Sequence, residues 1–122
     1  MCVFCNLEDH RKLGRNESGF VIRDGFPVTP LHSLIIPSRH VSSFFELTEG
    51  ETTDLLSLLR ETREELSKED PSIKSFNIGI NDGPEAGQTI PHCHIHLIPR
   101  RAGDMENPRG GVRGVIPNKQ SY

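Results

Sequence analysis

The chain has 122 residues, 34% of them apolar, and its 17 acidic against 14 basic side chains leave a formal net charge of −3. That length accommodates one domain with one modest core, and the acidic balance excludes the electrostatic footprint of a duplex nucleic-acid binder. No apolar run approaches the roughly 18 residues of a membrane span, and no secretory signal pattern is present, so cytoplasmic residence is the default expectation.

In chain order, the opening MCVFC places Cys2 and Cys5 at the short spacing typical of half a zinc site. With three cysteines in all, a reducing compartment is expected and no disulfide framework is implied. His10, inside the charged stretch 8–12, reads as solvated. Residues 20–23 and 33–37 read as short strands, the second built on Leu34, Ile35 and Ile36, with a proline-punctuated turn over 26–30 between them. Thr48 with Glu51 forms a capping box, and Leu55, Leu58, Leu59 and Leu66 recur near helical period until Pro71 stops the pattern. Phe76, Ile78 and Ile80 alternate with Asn77, Gly79 and Asn81, which marks another strand.

The run INDGPEAGQTIP is a glycine-bearing polar turn whose amide and hydroxyl groups, Asn81, Gln88 and Thr89 among them, are able to cradle an anion. It leads into PHCHIHLIPRR, where His92, His94 and His96 alternate with Cys93, Ile95 and Leu97. On an extended backbone that parity sets three imidazoles in a row on one exposed face, roughly 6.5 Å apart, with the apolar set behind them as core. Such a row suits metal or phosphate, and this strand closes an antiparallel meander. Cys93, pointing away, reads as a buried small hydrophobe. The tail from Gly103 is rich in glycine and proline and is expected to be irregular, with Val112, Val115 and Ile116 as its apolar residues. Arg100, Arg101, Arg109, Arg113 and Lys119 offer positive charge in or near it.

The segment 81–103, NDGPEAGQTIPHCHIHLIPRRAG, resembles the histidine triad (HIT) family through its His-x-His-x-His pattern followed by apolar residues. DGPEAGQT and PRRAGD are similar to the fragile-histidine-triad branch, whose members cleave dinucleoside polyphosphates. Upstream, PVTPLHSLIIPSRH resembles the family's preceding strand, with His32 at its extra active-site histidine. Residues 21–104 can be laid along the family pattern, with the helix matched by type, although Asn81 stands where the fragile branch has Gln. The resemblance implies an α+β, HIT-like fold: an antiparallel meander sheet of about five strands with one main helix, forming a homodimer in which two sheets join. On this reading residues 1–122 are a single HIT domain, with 1–18 as a zinc-binding N-terminal segment and 103–122 as an irregular tail.

The activity implied is hydrolysis at the α-phosphate of a dinucleoside polyphosphate or nucleoside phosphoramidate, with His94 as the nucleophile that carries a covalent nucleotidyl group. His96 would bind a phosphate oxygen or help protonate the leaving group, and Gln88 and Thr89 would hold oxygens as charge redistributes. Asp24, eight residues before His32, matches a ribose-binding position, although Arg23-Asp24-Gly25-Phe26-Pro27 is also ordinary turn chemistry. Some family members carry a structural zinc whose ligands match Cys2, Cys5, His40 and His92, one ion per chain, and no organic cofactor is expected. The alternatives are nucleotidyl transfer to another acceptor, a zinc-stabilised nucleotide-binding protein without turnover, and a metallohydrolase with all three triad histidines on zinc. Relatives that transfer to sugar phosphate carry Gln at the third triad position, so His96 favours hydrolysis.

Overall fold

Strands β2 (Gly19–Arg23) and β3 (Ser33–Pro37) are buried along almost their whole length, in keeping with the apolar runs 20–22 and 34–37 that they contain. A strand covered on both faces needs apolar side chains in both directions, where a half-exposed strand would alternate. Val21 and Ile35 belong to one core cluster, while Phe20, Ile22, Leu34 and Ile36 belong to a second on the opposite face. The computed structural model describes residues 2–122. Its remaining regular elements are β1 (Gly14–Arg15), α1 (Glu49–Glu69), β4 (Ile73–Gly79) and β5 (Ile95–Arg101), joined by loops that contain short 3-10 turns.

The five strands form one antiparallel sheet in the order β1-β2-β3-β5-β4, the α+β architecture expected. The first three strands meander as anticipated. The triad strand differs: β5 enters between β3 and β4 instead of closing an edge, which leaves β4 as the outer strand. This insertion pairs His96 with Leu34 on one side and Gly79 on the other.

Helix α1 packs Leu55, Leu58 and Leu66 onto Val21, Ile35, Ile95 and Leu97. Its start is fixed by the capping box, in which Thr48 Oγ1 accepts from the Glu51 amide at 3.1 Å and Glu51 Oε1 accepts from the Thr48 amide at 2.9 Å. The Arg39 guanidinium also grips Glu51, and these donors together hold its carboxyl at about 2. At Gly19 a Cβ would lie 2.5 Å from both the Ile36 carbonyl oxygen and Leu55 Cδ2, so only glycine admits so close an approach of helix to sheet.

The other face of the sheet is covered by the N-terminal segment, where Phe4 packs with Phe20, Ile22, Leu34 and Ile36, flanked by Cys2, Leu7 and Ile90. The tail is better ordered than its composition promised. It turns through Gly111–Val115 and Pro117–Lys119, and Arg109 and Arg113 lie 4.7 and 4.9 Å from the Tyr122 ring. Val112, Val115 and Ile116 nevertheless stay exposed, so the tail does not anchor itself through them. Among the described residues no helix is long and apolar enough to cross a membrane.

Candidate active site

The three triad histidines do not stand in one exposed row. Strand β5 begins at Ile95, and the residues before it are held in a bend by the His92 amide donating to the Ile90 carbonyl at 2.8 Å and the Cys93 amide to that of Val41 at 2.7 Å. The bend turns the first imidazole away from the other two. His92 is fully buried, and its Nε2–H donates to the Pro37 carbonyl at 2.7 Å. His94 and His96 remain neighbours, with ring centroids 5.1 Å apart. Cys93 is buried as expected, and burial pushes its thiol up to about 11.

His94 Nδ1 lies 2.9 Å from the His92 carbonyl oxygen, which can only accept, so Nδ1 carries the hydrogen. Nε2 is thereby left with a free lone pair. The Phe4 ring meets the imidazole edge-on at 5.2 Å.

A second chain of hydrogen bonds sets the other tautomers. The Val28 amide donates to His32 Nδ1 at 3.0 Å, which places the His32 hydrogen on Nε2. That Nε2–H points at His96 Nδ1, 2.9 Å away, so the His96 hydrogen is on its own Nε2. Nε2 of His96 is buried and has no partner in the protein. Burial keeps both rings neutral, lowering His32 and bringing His96 to about 4, where the neighbouring His94 and His32 add to the effect. Leu31, immediately before His32, sits at φ 72°, a left-handed conformation costing a non-glycine residue about 1 kcal/mol or more.

These histidines border a cavity of about 550 Å³. Phe4, Leu7, Ile22 and Leu34 give it an apolar lining, while Asp24, Asn81 and Thr89 join His32, His94 and His96 in its polar lining. Asp24 Oδ1 accepts from the Phe26 amide at 2.8 Å, and Oδ2 lies 3.5 Å from His32 Nε2. A smaller cavity of about 370 Å³ adjoins the first across His32 and His96, walled by Ile78, Ile98, Val112 and Val115.

Gln88 is not among the residues bordering either cavity. Its Oε1 accepts from the Gly83 amide at 2.8 Å, and its Nε2 donates to the Ser42 and Ile90 carbonyls at 2.8 and 3.1 Å, so the whole amide braces the loop. Asp82 assists by accepting from the Ser43 hydroxyl and the Phe44 amide at 3.0 and 2.8 Å. Arg100 and Arg101 are likewise committed, to Asp104 and to Asp70, each at 2.8 Å. The sequence reading did not single out Phe4 or Val28. Phe4 had a faint signal, an aromatic between two cysteines, whereas Val28 acts through its backbone and leaves none.

Cys2, Cys5, His40 and His92 bring four donor atoms within 4.8 Å of one another. The Cys2 Sγ to His92 Nδ1 separation is 3.4 Å, Cys5 Sγ to His40 Nδ1 is 3.2 Å, and the two Nδ1 atoms are 3.2 Å apart. Metal bonds of about 2.0–2.3 Å in a tetrahedron place donors about 3.3–3.8 Å apart, close to this set. Because His92 Nε2–H is given to Pro37, its Nδ1 faces the cluster as a lone pair, the arrangement in which a ligating imidazole is held by its other nitrogen. The four side chains therefore fit one tetrahedral ion. Asp24, His32 and His96 also lie close together. There, however, the Val28 amide keeps the hydrogen on His32 Nε2, the nitrogen a metal would need, and the group acts as a hydrogen-bond relay. With His92 turned to the cysteines, the three triad histidines do not converge on one point, and the all-histidine metal centre has no geometric basis.

A family model described as HIT domain matches residues 7–103. Over 79 residues the chain is 45% identical to the asymmetrical bis(5'-nucleosyl)-tetraphosphatase of Schizosaccharomyces pombe, a match covering 65% of this chain and 43% of that protein. The chain thus spans less than half the length of that relative. An uncharacterized HIT-like protein of Saccharolobus solfataricus is 33% identical over 126 residues, covering 98% of this chain and 86% of its own. The crystal structure of a HIT family protein from Bacillus anthracis has a TM-score of 0.77 at 32% identity, covering 84% of this chain and 75% of that one.

Proposed function

Since the chain belongs to the HIT domain family, we propose that it is a nucleotide hydrolase that cleaves at the α-phosphate of a dinucleoside polyphosphate or nucleoside phosphoramidate through a covalent nucleotidyl-His94 intermediate. The observation that carries this reading is the 2.9 Å contact between the His92 carbonyl and His94 Nδ1, which readies Nε2 for attack. A bond forms from Nε2 to the α-phosphorus as the bond from phosphorus to the leaving group breaks; water then attacks the same phosphorus, the P–Nε2 bond breaks to return the neutral imidazole, and the proton lost by the water passes to solvent.

His96 supplies a hydrogen bond to the reacting phosphate. Its unpartnered Nε2–H is oriented in advance by His32 and Val28, so little reorganisation is needed as charge redistributes on the phosphoryl oxygens. A neutral donor suffices for a dinucleoside polyphosphate, whose leaving group departs without a proton; the amine of a phosphoramidate needs a proton as it leaves, so a neutral His96 suits the polyphosphate better. Thr89 and Asn81 border the same space and offer further donors, and Asp24 keeps Oδ2 for a ribose hydroxyl. The apolar lining contributed by Phe4, Leu7, Ile22 and Leu34 suits a base. The adjoining cavity beyond His32 and His96 gives the departing half of a dinucleotide somewhere to lie. The Schizosaccharomyces pombe relative, a tetraphosphatase by name, supports the substrate class.

Cys2, Cys5, His40 and His92 hold one structural zinc per chain; with all four positions taken by protein, its chemistry is that of a cross-link. The outer strand β4, with Ile78 half exposed, is where a second chain adds its sheet to form the homodimer.

The direct test is intact-mass and peptide mass spectrometry of the chain quenched during turnover of diadenosine tetraphosphate. An adenylyl mass gain on the peptide carrying His94 is expected. Turnover without any such adduct, together with activity retained in His94→Ala, would overturn the nucleophile.

A further inference from the structure

The N-terminal wall of the larger cavity is attached to the rest of the protein in an unusual way. Val3, Phe4, Leu7 and Arg11 border the cavity that holds His94 and His96. The segment's backbone hydrogen bonds are local: Asn6 to Val3, Arg11 to Glu8 and Lys12 to Asp9. The first backbone bond to the sheet is made by Leu13, whose amide donates to the Val21 carbonyl at 2.8 Å. Among the described residues before that point, side chains alone secure the segment to the rest of the protein: the packing of Phe4 and Leu7, an exposed Arg15–Asp9 pair, Lys12 over the Phe20 ring, and the two thiols facing His40 and His92.

Phe4 lies between those thiols. It is 5% exposed, and its ring contacts both His92 at 5.7 Å and His94 at 5.2 Å, joining the donor cluster to the nucleophile. His92 makes the same connection through its backbone, since its ring faces the cysteines while its carbonyl orients His94.

From this geometry we propose that the Cys2–Cys5 clip is a metal-dependent latch for the nucleoside wall: zinc on Cys2, Cys5, His40 and His92 raises nucleotide affinity by fixing Phe4 against the cavity. The inference rests on the nucleotide and zinc readings above and adds a coupling between them. Without the ion, ordering residues 2–12 costs conformational entropy that nucleotide binding must overcome; with it, that cost has already been met. Coupling is reciprocal, so a nucleotide in the cavity tightens the hold on zinc by the same factor.

The test titrates AMP calorimetrically into the full chain, zinc-loaded and chelator-stripped, and measures zinc affinity by competition with a chromophoric chelator, with and without saturating AMP. A factor of about ten is expected in both directions, in the usual range of such couplings. In Phe4→Ala zinc should still bind one to one, while the factor falls toward one. Zinc bound stoichiometrically with AMP affinity the same in both forms would overturn the latch and leave both sites standing. A chain that takes up no zinc would overturn the metal reading and the latch with it, and a loaded chain that ignores AMP would overturn the nucleotide reading and the latch. Far-UV circular dichroism is recorded on the stripped chain, because loss of the helix signal there would make the ion a condition of folding and would also sink the proposal.

Discussion

Nε2 of His32 lies 2.9 Å from Nδ1 of His96, and the direction of that hydrogen bond is decided by a third group, the Val28 amide on the far side of His32. One backbone N–H thus dictates which nitrogen of a ring two residues along the relay carries a hydrogen. The buried Nε2–H of His96 is its product.

Removing His32 should therefore damage catalysis more than binding. In His32→Ala the Val28 amide loses its acceptor and His96 Nδ1 is free to take the hydrogen, so the oriented donor is present only part of the time. We expect kcat to fall by about 10²-fold, within the range for a positioned proton-bearing group, with KM changed much less. Steady-state kinetics on diadenosine tetraphosphate decide it; a loss confined to KM would contradict the relay.

Replacement of His94 by Ala should lower turnover of the same substrate by a factor of about 10³ or more, because it removes the nucleophile on which the proposed covalent route depends. Thermal denaturation alongside the assay guards against the trivial explanation.

The neutral state of His96 makes stability depend on pH with a definite sign. Folded His96 titrates at about 4 against about 6.5 for a free imidazole, so between these values the unfolded chain binds the proton and the folded chain resists it. Stability is full above about 6.5 and is lost as pH falls toward 4, by an amount on the order of 3 kcal/mol at most at 1.36 kcal/mol per unit. His32 is lowered as well and acts in the same sense, and the Asp24 carboxylate opposes both. Tm recorded from pH 7 to 4 should fall, and His96→Asn should flatten the slope; an equal slope in the variant would assign the loss elsewhere.

Gln88 offers a test between loop brace and phosphate ligand. With all its bonds made to Gly83, Ser42 and Ile90, Gln88→Ala should lower stability by about 1–3 kcal/mol and speed proteolysis of the 83–90 loop. A protein of unchanged Tm and protease resistance that binds AMP poorly would return Gln88 to the phosphate.

Parts of this fold were open to sequence reading because local chemistry and burial agree there. The Thr48–Glu51 cap and the leucine period locate α1, and the unbroken apolar run of 33–37 locates β3 to the residue. The triad was legible in composition and misread in shape. Parity assumes a straight strand, but the Cys93 amide goes to Val41 and the Ile90–His92 bend breaks the alternation, so His92 leaves the row to meet the cysteines. The role of Gln88 is not legible in sequence, because a side-chain amide gives no hint whether its partner is substrate or its own loop. The two-residue β1 is too short to carry any period.

The start of β5 at Ile95 divides the chemistry mechanically. His96 is stitched into ladders on both sides, to Leu34 and to Gly79, and cannot shift without unzipping them. His94 sits one residue ahead of that seam, on a bend fixed by the His92 and Cys93 amides and not by a strand ladder. The sheet thus provides a fixed anvil, while the aim of the nucleophile depends on a handful of loop bonds, so a substitution that perturbs the 90–94 bend would misdirect His94 and leave His96 in place.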